Sequence, residues 1–170
     1  MRKGILFFLL MALFSIAKAN VNLELARKEF KNAVYNDKLT NQLCQVLISS
    51  KQQDALTQAY IAYFTALKAK HVTNPYAKIE YVRNFDRTIK KAIELAPDNL
   101  EIRFLRFSVQ DNIPLYLGFS NELEVDKKII VQQLQKNSTG FSGTFKQDVK
   151  TVLLKSKSLS VSEKKLIEKS

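Results

Sequence analysis

Apolar residues recur three and four positions apart along nearly the whole of this chain, and no window alternates apolar with polar residues at every second position. Side chains three and four apart share one face of a helix, whereas a half-buried strand needs a period of two. Asn-Gly and Asp-Gly, the strongest hairpin turns, are also absent. The pattern predicts an all-α fold built from helical hairpins, stacked as a short array or an irregular bundle.

The spacing predicts seven helices and a short terminal one. The first covers 22–35, with Leu23, Ala26, Phe30, Ala33 and Val34 on one stripe. The second covers 40–50, with Thr40 as its N-cap, because a hydroxyl there can accept a free backbone N–H. The third runs over 54–70 behind a stripe from Leu56 to Leu67, and four alanines between Ala59 and Ala69 favour it. The fourth starts at Asn74-Pro75, since proline at the first helical position gives up an N–H that has no partner anyway. Pro97 ends it by pushing the preceding residue out of the helical region. A fifth helix is expected behind Asp98, with Glu101 as the capping-box partner three residues on. Asn121 with Glu124 predicts the sixth, to about 136; the seventh covers 144–155, and Ser160 with Glu163 opens the last.

The N-terminus reads as an address. Arg2 and Lys3 precede thirteen residues, Gly4 to Ile16, that are almost all apolar; Ala17-Lys18-Ala19 then supplies the small residues a signal peptidase needs. A membrane-spanning helix needs roughly 17–25 residues, so the run reads as a cleaved leader, with an uncleaved N-terminal anchor as the alternative. The expectation is a signal peptide at 1–19 and one helical domain at 20–170, periplasmic or secreted after cleavage. Loss of the leader takes the formal net charge from +11 to +8. A lone Cys44 in an apolar stretch forms no internal disulfide and reads as a buried small hydrophobe.

The same counts exclude most chemistries. One His and one Cys cannot furnish a zinc site or a His-based triad, and no P-loop, dinucleotide-binding, nucleophile-elbow or zinc-protease motif is present. His71 falls beside Lys68 and Lys70 at a helix end, where a cation interacts with the last carbonyls. Glu80, Asp86, Glu94, Glu101 and Asp111 are carboxylates that an enzyme could use if the fold brought them together. They are interleaved with Lys and Arg, as solvated ion pairs on polar faces are. The expectation is a protein that is not an enzyme and takes no cofactor and no metal.

Two resemblances bear on the architecture. The stretch Lys91-Ala92-Ile93-Glu94-Leu95-Ala96-Pro97-Asp98-Asn99 resembles the end of a tetratricopeptide repeat, with Ala92 on its small position and Ile89 on its bulky one. Phe85 departs from that pattern, which wants a small residue there. The resemblance implies stacking of helix pairs. The leader, the block Pro97–Arg106, Ser108–Pro114 and Leu117-Gly118-Phe119 are together similar to a family of small exported helical proteins from Bacteroidota-type bacteria. That resemblance implies fold and compartment and adds no catalytic residue.

Two surfaces are candidates for binding. Arg103 and Arg106 lie three apart, followed by Asn112, Tyr116 and Phe119 around a Pro/Gly-broken apolar segment. Such a segment either covers a core or holds a peptide through aromatics and guanidiniums. The second is a charge asymmetry: residues 127–170 hold ten Lys against Asp148, Glu163 and Glu168. Lys146, Lys150 and Lys157 flank a Phe145/Val149/Val152/Leu153 stripe that could lie on anionic lipid, or they form an ordinary solvated lysine face. Little arginine falls there, so no nucleic-acid partner is expected. The primary expectation is an interaction module that presents a surface to another envelope protein or peptide. Peripheral membrane contact and an enzyme with carboxylates meeting only in the fold are the alternatives.

Overall fold

The computed structural model describes residues 22–50, 54–136, 140–141 and 143–170. The expected leader at 1–19 lies outside the described residues. Within them the chain is all-helical, without a strand. Helix α1 spans 22–33, α2 Asp37–Ile48, α3 Ala55–His71, α4 Pro75–Leu95 and α5 Leu100–Gln110. A single 3-10 turn follows at Leu115–Leu117, then α6 Leu123–Gln135, α7 Gly143–Lys155 and α8 Val161–Glu168.

Local chemistry sets most boundaries. Asn74 accepts from Tyr76 N and Ala77 N, and Pro75 occupies the first turn of α4. Ser160 and Glu163 form the reciprocal capping box of α8. Three starts differ from the sequence expectation. Helix α2 begins at Asp37, capped by Asn36, whose side chain accepts from Leu39 N. Thr40 is no cap: it is fully buried and its hydroxyl donates to Ala33 O, 2.7 Å away, a second donor for a carbonyl at the end of α1 that also accepts from Asn36 N. Asn99, not Asp98, caps α5, accepting from Glu101 N and Ile102 N. No side chain caps α6, which begins at Leu123, and Glu124 turns to Lys127.

Helix α3 packs against α2, α4 and α5, α5 also against α6, and α8 against α6 and α7. The core is aromatic at its centre. Phe30 of α1 stacks on Tyr63 of α3 at 4.6 Å between ring centroids and meets Phe104 of α5 and Phe145 of α7 at 5.5 and 5.6 Å. Phe141 closes the cluster against Phe104 and Phe145. Four helices distant in sequence thus share one apolar centre, and such ring pairs add to the area they bury. Cys44 is buried, as its apolar neighbours predict, with its sulfur 3.9 Å from Thr65 Oγ1.

Helix α5 occupies the middle. Every residue from Leu100 to Gln110 except Arg103 is buried. A helix enclosed on all sides must find partners inside the protein for each polar side chain it carries. The charged side chains of α5 meet that requirement, while Gln110 Oε1 is buried without a hydrogen-bond partner.

Candidate functional site

The charged residues of α5 build two interior clusters. In the first, Glu101 faces α1 and α3. Its Oε1 accepts from Arg27 Nε at 2.8 Å and from the Tyr60 hydroxyl at 2.5 Å, and its Oε2 accepts from Arg27 Nη2 at 2.9 Å. The Arg27 fork is thus bidentate, the strongest arrangement an arginine makes with a carboxylate. Hydrogen bonding to Glu101 holds the Arg27 guanidinium above its already high value, against the opposing effect of burial. Burial, reinforced by the Glu101 charge, pushes the Tyr60 phenol well above its ordinary value. Glu101 is therefore no solvated helix-face residue, as its neighbours in sequence suggested; α5 turns it inward against Arg27.

In the second cluster Asp126 of α6 is fully buried between two guanidiniums of α5. Arg106 grips it with Nε at 2.6 Å from Oδ2 and Nη2 at 2.9 Å from Oδ1. Arg103 adds Nη1 at 3.1 Å from Oδ1 and donates its other nitrogens to Pro97 O, tying the α4–α5 link to α6. The two arginines expected to meet a ligand are thus engaged by an internal carboxylate. Arg106 is buried and Arg103 mostly so, and Arg106 Nη2 also comes within 4.0 Å of Glu122 Oε2 at the start of α6.

That segment separates the remaining candidates. Asn112 is exposed and its amide donates back to Ser108 O. Leu115 and Tyr116, in the 3-10 turn, are 76% and 86% exposed, while Phe119 is half-buried. The turn ends at Gly118, whose φ of +73° lies in the left-handed region open to glycine. Its base is fastened on both sides: the Ser120 hydroxyl donates to Gln110 O at 3.1 Å, and the Ser158 hydroxyl donates to Asp111 Oδ1 at 2.5 Å. The segment therefore projects two apolar side chains from a braced support. The alternative in which it covers the core is met in part: Ile113 packs against the core, and Leu117 and Phe119 are half-buried.

The basic C-terminal region is also rearranged relative to its sequence expectation. Of the apolar stripe of α7, Phe145, Val149 and Leu153 are buried in the core and Val152 is half-buried against it. They are not free to lie on lipid. Lys150 donates to Ser170 O at 2.8 Å, and Lys146 is half-buried. Of the three lysines singled out, only Lys157 stands fully out from the surface.

The remaining carboxylates do not converge. Asp86 pairs with Lys90 one turn along α4, Glu80 and Glu94 are exposed, and Asp111 holds Ser158. Among the described residues no three His, Cys, Asp or Glu side chains gather as a metal-binding group. No described helix is long and apolar enough to cross a membrane.

Asp126, Arg27 and Tyr60 were not marked by any motif. Asp126 did carry a signal: it falls on the inward stripe of α6, three residues after Leu123 and four before Ile130. An acid at an apolar position of an amphipathic helix needs a buried partner. No protein-family model, curated protein or solved structure matches the chain.

Proposed function

We propose that this protein is an exported, non-catalytic helical interaction module that presents the 113–119 turn to another envelope protein or peptide. The observation behind this reading is the pair Leu115 and Tyr116, side by side and outward on a turn braced at both ends. An aromatic–aliphatic pair held rigidly in water is what a partner's pocket can cover at low entropic cost, and tyrosine is enriched at such anchors. The leader read at 1–19 supports the envelope as the place where the partner is met. The interior carboxylates hold arginines, a structural use that offers no acid or base to a substrate. Arg103 and Arg106 take no part in the contact; exposed Asn112 and half-buried Phe119 border it.

The test is site-specific photocrosslinking in the producing cell. A photoreactive residue at position 116 should yield a discrete crosslinked species that is missing when the same residue replaces exposed Lys38 on α2. Leu115→Ser should remove it. Equal crosslinking at the two positions, or none at position 116, would refute the reading.

A further inference from the structure

A second surface, distinct from the turn, lies on α8. This helix buries Ile167 and turns Val161, Lys165, Leu166 and Lys169 outward. Val161 is 72% exposed and Leu166 41%, so two apolar side chains face solvent between lysines. The acids that could offset those lysines are engaged. Glu163 caps Ser160 and approaches Lys127, Asp148 pairs with Lys31 of α1, and Asp126 is fully buried. Glu168 is the exposed carboxylate left on the helix. Ahead of it, exposed Lys155 and Lys157 extend the positive surface along the α7–α8 link. The tertiary structure thus leaves Lys155, Lys157, Lys165 and Lys169 exposed, while Asp126 is buried and the half-buried Asp148 and Glu163 are paired.

We propose that the outer face of α8 docks the protein on an anionic lipid bilayer, its lysines against the headgroups and Val161 and Leu166 in the interfacial layer. Charge complementarity selects this occupant. Each lysine near an anionic surface adds a favourable, salt-screened increment, and a short helix with apolar residues between lysines can lie in the interface without crossing it. The proposal stands apart from the contact made by the 113–119 turn, which a protein docked in this way would carry beside the bilayer.

Cosedimentation of the purified full chain with vesicles tests it, using phosphatidylglycerol mixed with phosphatidylcholine against phosphatidylcholine alone. Binding is expected only to the anionic vesicles, and is expected to vanish at about 1 M salt, where the Debye length falls to about 3 Å. The triple variant Lys157→Glu, Lys165→Glu, Lys169→Glu should weaken it at least about tenfold, with an unchanged circular dichroism spectrum and melting midpoint. The pair Val161→Ser, Leu166→Ser should weaken it less, and Tyr116→Ser should leave it unaltered. Absence of binding would overturn the proposal, as would equal binding to neutral vesicles or binding that survives high salt, the behaviour of a retained apolar leader. So would loss of binding through Tyr116→Ser with the triple lysine variant unaffected. None of these results bears on the crosslink at position 116, so the two readings fail independently.

Discussion

Helices α5 and α8 both carry charged residues among apolar ones, and the protein treats them in opposite ways. In α5, Glu101 and Arg106 are buried and bidentately paired, through Arg27 and Asp126 respectively. In α8, Lys165 and Lys169 stand in water and no charged residue is fully enclosed. A charge withdrawn from water costs several kcal/mol unless a partner of good geometry receives it. An exposed pair is worth about 0–1 kcal/mol. The same residue types are therefore structural necessities in one helix and a free surface in the other. A charge reports on function only after its environment is known.

The contrast is sharpest at Asp126. Asp126→Ala should cost about 3–5 kcal/mol, because it takes the bidentate acceptor from buried Arg106 and leaves only Glu122, 4.0 Å away, and urea denaturation would measure it. A loss below about 1 kcal/mol would place this pair with the exposed ones. Phe104→Ala, in the same helix, should cost about 3–5 kcal/mol through the cavity it opens at the aromatic centre.

Next in size is the loss of a cap on the exposed side. Ser160→Ala should cost about 0.5–2 kcal/mol and should act on α8 first, seen as faster amide exchange over its first turn.

The smallest effect concerns pH. Burial raises both the Tyr60 and the Tyr63 phenol above the ordinary value of 10.0. Below that value both rings are neutral in folded and unfolded chains alike, and their contribution is fully present. Above it the unfolded chain loses protons that the folded one retains, so stability falls as pH rises. Tyr63→Phe gives up only a 3.3 Å bond to Phe30 O and should flatten that alkaline decline at little cost near neutrality. Melting midpoints recorded from pH 8 to pH 11 would test it.

The structure also shows where sequence patterns lose their reach. The start of α4 and the capping box of α8 were legible because cap chemistry is a matter of three or four adjacent residues. Helix α5 was legible as a helix, but its cap was assigned one residue early. Glu101 looked like the box partner of Asp98, whereas its carboxylate reaches 74 positions back to Arg27. Helix α7 is legible as amphipathic, and the sequence leaves contact of its apolar stripe with lipid open as an alternative. It is core because Phe30 and Phe104 arrive from two other helices to cover Phe145. At the candidate site the exposure of Tyr116 was open in the sequence, and the engagement of Arg103 and Arg106 by Asp126 was hidden in it.

What the amino-acid order determined by itself is the all-helical class, the approximate span of each helix and the residues able to line a core. A periodicity of 3.6 is a local property that needs no knowledge of neighbours. What only the tertiary structure decided is which charges face inward, which apolar stripe is covered and which side chains are left to meet a partner. Those outcomes depend on which helices surround α5 and which leave the outer face of α8 bare. Burial is a property of an assembled set of helices, so no single helix encodes it.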